Sequence, residues 1–235
     1  MVVGLAFVAT VVSVLFAQAM LVRFTRGHRP QHRAWAIALA MFALASVALA
    51  SGTATGWDQG TYRVFYLFGA VLNVPWLAMG TVYLLARPPV ARRVLWGLVL
   101  FSGFAAGVLL AAPMAPVHGT TIPVGKDVWA ALPRVLAAVA SGVAALVIFA
   151  GAAVSAWRFA HDRETAGHGR LAAANGLIAL GTLVLASGGV VEGVVGHDEA
   201  FALSLAVGIT VVYLGFVLAS GASSPRPVVA SERSS

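Results

Sequence analysis

Tyr62, Tyr66, Gly69, Asn73, Trp76, Gly80 and Tyr83 recur at alternating intervals of four and three residues. That spacing puts all of them on one face of a helix. The rest of the segment is mainly Val, Leu, Phe and Ala. Two readings fit such a stripe. As a packing seam, its glycines admit a neighbouring backbone and Asn73 bonds across the interface. As a ligand-binding face, Tyr62, Tyr66, Trp76 and Tyr83 supply aromatic walls, and Asn73 an orienting amide in an otherwise apolar pocket. Either way the stripe should face inward, with lipid on the other side at Phe65, Phe68 and Leu72. An amide left unbonded in hydrocarbon costs about 2–7 kcal/mol. Pro75 removes a backbone donor and should loosen this helix locally.

Other residues offer less. Gly119 to Lys126 (GTTIPVGK) resembles a phosphate-binding loop, but it has one residue too many between its glycines. Asp127 also stands where Ser or Thr would hold Mg²⁺. His28 and His32 have ligand-like spacing, but Pro30 lies between them and no acid accompanies them. No carboxylate lies mid-span, which argues against a proton relay. All histidines sit in loops or at span ends, which argues against haem between helices. It also leaves Ser141 without a base for nucleophilic catalysis. The only lysine, Lys126, lies in a loop, so no Schiff-base pigment is expected. The chain has no cysteine, which excludes disulfides and thiolate chemistry. The sequence thus predicts no catalytic residue, no metal site, no cofactor and no enzyme. At one edge Arg134 and Glu192 could pair, because charge at membrane depth is costly alone, or each could stay solvated at the interface by snorkelling. With Asp58, Arg63, His197, Asp198 and Glu199 they would line a vestibule.

The elements that position these residues follow from composition. Of the 235 residues, 60% are hydrophobic and 10% charged, against about 25% charged in soluble domains. About 20 apolar residues cross a hydrocarbon core. Seven stretches reach that length: Val2–Val22, Ala34–Thr55, Val64–Ala86, Val94–Pro113, Val135–Trp157, Leu171–Val191 and Ala200–Ala222. Transmembrane strands would alternate instead. The expectation is an all-α polytopic membrane protein, with residues 1–222 as one seven-helix domain and 223–235 as a disordered cytoplasmic tail. No basic residue precedes the first span's apolar run, so it reads as a retained helix and not a signal peptide.

Twelve of the fifteen basic residues fall in alternate gaps and the tail, leaving only Arg63, Lys126 and Arg134 on the other side. The positive-inside rule then sets the N-terminus outside and the C-terminus inside the plasma (inner) membrane. The net charge of +7 is accounted for by this asymmetry, with no nucleic-acid partner.

Arg23-Phe24, His32 and Ala50-Ser51-Gly52 are echoed by Arg158-Phe159, His168 and Ala186-Ser187-Gly188. The echo pairs spans one to three with five to seven, a parallel 3+1+3 repeat of a kind found in transporters. In topology this resembles the SWEET sugar transporters of the PQ-loop class. The resemblance implies a small carrier. It does not extend to prolines, since only Pro75 and Pro133 lie in or beside the paired spans.

Two functions fit. One is a small carrier or binder of a neutral or amphiphilic solute along the span-three face. The other is a non-catalytic sensor, scaffold or assembly subunit. Small-residue pairs such as Gly103 and Gly107 allow a second copy or another membrane protein as partner, besides membrane lipid.

Overall fold

The computed structural model describes residues 1–161, 173, 176–185, 187 and 198–221. Helices α1 (Val2–Gly27), α2 (Pro30–Thr55), α3 (Gln59–Leu85), α4 (Pro88–Ala111), α5 (Ala131–His161), α6 (Gly176–Leu185) and α7 (Asp198–Gly221) run in chain order. Among the described residues there are no strands, only one bridge between Met114 and Trp129. Among the described residues, six of the helices are long and apolar enough to cross a membrane, and α6 is described over Gly176–Leu185. The expected sixth span, Leu171–Val191, lies mostly outside the described residues, as does the tail.

Local chemistry sets the helix starts. Pro30 and Pro88 open α2 and α4, where a missing N–H is no loss. Asp58 caps α3 by accepting from the N–H groups of Gly60 at 2.7 Å and Thr61 at 3.0 Å. The Thr61 hydroxyl donates to the same carboxylate, and this bond most of all holds Asp58 below the usual carboxylate range. Gly56 turns the chain from α2 into α3 at φ 99°, a left-handed value that suits glycine.

Phe7, Leu100 and Leu146 remain 65%, 73% and 71% exposed, and similar side chains ring the bundle. Water would not tolerate so continuous an apolar surface, whereas acyl chains solvate it. Inside, α1 packs between α2 and α7, and α2 packs along α3. The C-terminal half of α3 packs on α5, while α4 leans on α3 and is the least enclosed span. Gly181 lets α6 meet α7, since a Cβ there would stand 2.7 Å from the Gly208 carbonyl oxygen.

The middle of α3 is not α-helical. Tyr66–Leu72 forms a π-helical segment just before Pro75. Pro75 has no N–H for the carbonyls of Val71 and Ala70, four and five residues earlier. The wider turn accommodates that loss. Ser141 of α5 completes it by donating its hydroxyl to the Ala70 carbonyl at 2.8 Å.

This segment overturns the expected lipid face. Phe65 packs into an aromatic cluster at the helix start, and Phe68 packs on Val71, Ala105 and Leu109 between α3 and α4. Leu72 is only 4% exposed. The π turn shifts the register, and α4 covers that side. On α3 the exposed apolar side chains are instead Val64, Leu84 and Leu85. The expected repeat and the Arg134–Glu192 pair involve His168, Gly188 and Glu192, which lie outside the described residues.

Candidate functional site

The helix ends sort by charge. Ala34 of α2, Met79 and Tyr83 of α3, and Ala91 of α4 pack together at one end of the bundle. Arg23, Arg26, Arg29, Arg33, Arg87, Arg92 and Arg93 gather there. Arg23 lies 4.6 Å over the Phe216 ring, which brings the end of α7 to the same side. The opposite end carries a cluster of aromatic residues.

That opposite end is an aromatic cap built from three sources. The α2–α3 turn supplies Trp57, whose indole covers Gly52; a Cβ on Gly52 would overlap the ring. The first turns of α3 supply Tyr62, Phe65 and Tyr66. The segment 112–130 between α4 and α5 supplies Val117, Ile122, Val128 and Trp129. It folds back over the helix ends. The Trp57 backbone N–H donates to the Gly119 carbonyl at 2.8 Å, and the Tyr62 hydroxyl donates to the Pro123 carbonyl at 2.9 Å. Ala115 N–H donates to the Val128 carbonyl at 3.0 Å. Ile122 N–H donates to Asp198 Oδ2 at 2.9 Å, tying the segment to α7.

The rings interlock. Trp57 and Tyr62 meet edge to face at 5.7 Å, Tyr62 stacks on Trp129 at 6.2 Å, and Tyr66 meets Trp129 at 5.7 Å. Phe65 meets Phe201 of α7 at 6.2 Å. Arg63 locks the assembly from the side. Its guanidinium lies 5.3 Å over Trp129 and donates to the carbonyls of Leu109, Leu110 and Ala112. Those oxygens are the unpaired, partly negative end of α4, where a cation is favoured.

Two donors in this cap find no acceptor among the described residues. They are Trp57 Nε1 and Trp129 Nε1, on side chains 4% and 3% exposed. Asp198 Oδ1 is likewise unpartnered. Buried indole N–H groups are normally bonded, so a pair without acceptors in one cluster calls for an explanation.

The expected site residues do not stay together. Tyr62 and Tyr66 join the cap. Trp76 turns toward α4 and donates through Nε1 to Ser102 Oγ at 3.1 Å. Asn73 is buried where the π segment meets the second half of α3. Tyr83 lies at the arginine end. Gly69 faces Ala45, and Gly80 lies beneath the Trp35 indole, whose Nε1 donates to the Leu77 carbonyl at 3.2 Å. Of the expected vestibule, Asp58 and Arg63 serve as helix caps. Asp198 holds Ile122, and His197 lies outside the described residues.

Sequence reasoning missed Trp57, Trp129 and Phe201. A Trp close after Gly52 at a helix end was an available signal for Trp57. Nothing local marks Trp129, which reaches the cap only because the GTTIPVGK segment folds back. No family model, curated protein or solved structure matches the chain.

Proposed function

We propose that this chain is a multi-pass integral membrane protein that binds a small neutral or amphiphilic solute at the aromatic cap and catalyses no reaction. Two buried indole donors with no acceptor among the described residues, Trp57 Nε1 and Trp129 Nε1, carry this reading. A solute bearing carbonyl, ether or hydroxyl oxygens would satisfy them while its apolar part lies against Tyr62, Tyr66 and Phe65. Few polar groups in an aromatic setting is the usual make-up of such sites. A carrier would also pass the solute along α3. The engagement of Trp76 and Gly80 with α4 and α2 supports binding, as in a sensor, over flux.

A thermal-shift screen with neutral sugars, polyols and short-chain amphiphiles tests the reading. A solute at about 100 times its Kd should stabilise the protein by about 2.7 kcal/mol. Trp57→Phe and Trp129→Phe should each lose that gain while keeping the unliganded fold. Equal stabilisation of both variants would move the site elsewhere. No stabilisation by any solute would favour the second reading.

That second reading is a scaffold or assembly subunit, and α4 supports it. A Cβ on Gly97, Gly103 or Gly107 would meet nothing within 4 Å. These small residues thus stand free for a second copy or another membrane protein.

We further propose seven spans, with the N-terminus outside and the C-terminus in the cytoplasm of a plasma (inner) membrane. The gathering of arginines at one bundle end supports this. A reporter fused after Ser235 should read as cytoplasmic; a periplasmic reading reverses the orientation. The parallel repeat would pair α1–α3 with α5–α7, and the carrier alternative rests on it.

A further inference from the structure

A groove of about 280 Å³ opens between α3 and α5 near the arginine end. Thr81, Leu85 and Ala86 form one wall, and Val147, Ala150 and Gly151 the other. Gly151 fixes the spacing, because the Thr81 methyl fills the space a Cβ there would take. The helices are pinned at that contact and leave the groove beside it. Among the described lining residues, Thr81 alone has a polar side-chain atom.

The α3 wall runs directly into Arg87, whose side chain is exposed, and Arg92 and Arg93 are exposed on the first turns of α4. Among the described residues no acid lies beside them. The four carboxylates among the described residues, Asp58, Asp127, Asp198 and Glu199, lie at the opposite end. Nor does the start of α4 offer an anion free backbone donors. Pro88 and Pro89 have no N–H, and Val90 and Ala91 each donate to the Arg87 carbonyl at 3.0 Å. The positive charge beside the groove therefore resides in arginine side chains.

We propose that this groove is a binding site for an anionic phospholipid, with one acyl chain between α3 and α5 and the headgroup phosphate on Arg87. The occupant follows from the two halves of the site. An apolar groove at membrane depth suits a hydrocarbon chain, and a rim of exposed arginines suits a phosphate with net negative charge. A zwitterionic headgroup brings its own cation to that rim and gains less. This site lies at the other end of the bundle from the aromatic cap, so neither stands on the other.

Native mass spectrometry of the delipidated, detergent-solubilised protein tests this with phosphatidylglycerol and phosphatidylcholine at equal concentration. The protein should retain phosphatidylglycerol preferentially. Arg87→Gln should weaken that retention by about fivefold, the order expected for one arginine at an anionic surface. Ala150→Trp, made from an exposed position, should fill the groove and remove retention. Gly142→Trp, on another face of α5 where a Cβ meets nothing within 4 Å, should leave it intact. Thermal unfolding confirms that each variant is folded, and Ala150→Leu replaces the tryptophan variant if that one is not. Inorganic phosphate at the same concentration should leave the lipid bound. Equal retention of both lipids overturns the proposal, as does undiminished binding to Arg87→Gln or to the filled groove. Displacement by inorganic phosphate would reduce the site to a bare anion contact and also overturn it.

Discussion

Gly80→Leu should destabilise the protein by about 3 kcal/mol, combining an overpacked contact with a lost hydrogen bond. The Trp35 indole lies flat against α3 at Gly80, occupying the position a Cβ would need. From there Trp35 Nε1 reaches the Leu77 carbonyl at 3.2 Å. A leucine forces the ring away, breaks that bond and separates α2 from α3 near the arginine end. Because one ring mediates the effect, the two positions should couple. In a Trp35→Ala background, Gly80→Leu should cost much less than it does alone. Gly103→Leu is the contrast, since a Cβ there meets nothing within 4 Å, and it should be nearly neutral. Denaturant unfolding of the solubilised protein measures all three. Equal costs at Gly80 with and without Trp35 would show that the ring is not the obstacle.

Arg63→Met should act at the other end and cost about 3 kcal/mol, the upper range for hydrogen bonds to a charged group. The guanidinium joins three carbonyls at the end of α4 to the Trp129 ring. Methionine keeps much of the stem's volume and removes every donor. The end of α4 then loses its cap, and segment 112–130 loses its lateral anchor. Hydrogen exchange should therefore rise across 112–130, while Leu39 and Ala43 within α2 stay protected. Arg63→Lys should recover only part of the loss, since an ammonium cannot present the planar fork that spans several oxygens. Unchanged exchange in 112–130 would mean that Arg63 caps the helix without holding the segment.

Several parts of this protein were readable without coordinates because their causes are local. Apolar run length alone marks α1 to α5 and α7 as membrane-crossing, since hydrocarbon thickness and helical rise set that length. Pro30, Pro88 and Asp58 mark helix starts because a missing N–H, or a side-chain acceptor, acts within one turn. Arginine placement in the sequence agrees with the gathering of Arg23, Arg26, Arg29, Arg33, Arg87, Arg92 and Arg93 at one bundle end among the described residues. Of the five residues expected on one ligand-binding face, Tyr62 and Tyr66 lie in the aromatic cap, and Asn73, Trp76 and Tyr83 lie apart from it. The stripe rested on an unbroken period of 3.6. Pro75 imposes a π turn at Tyr66–Leu72, and its rotational outcome depends on Ser141, which takes up the Ala70 carbonyl from another helix. Trp57 and Trp129 were invisible as partners because 72 positions separate them in the chain. Only the return of segment 112–130 brings Trp129 onto Tyr62, itself packed edge to face on Trp57. Hydropathy and periodicity register what a residue does for its own helix. Which rings share a cap, and which donors are left without acceptors there, depends on how separate helices and loops meet in space.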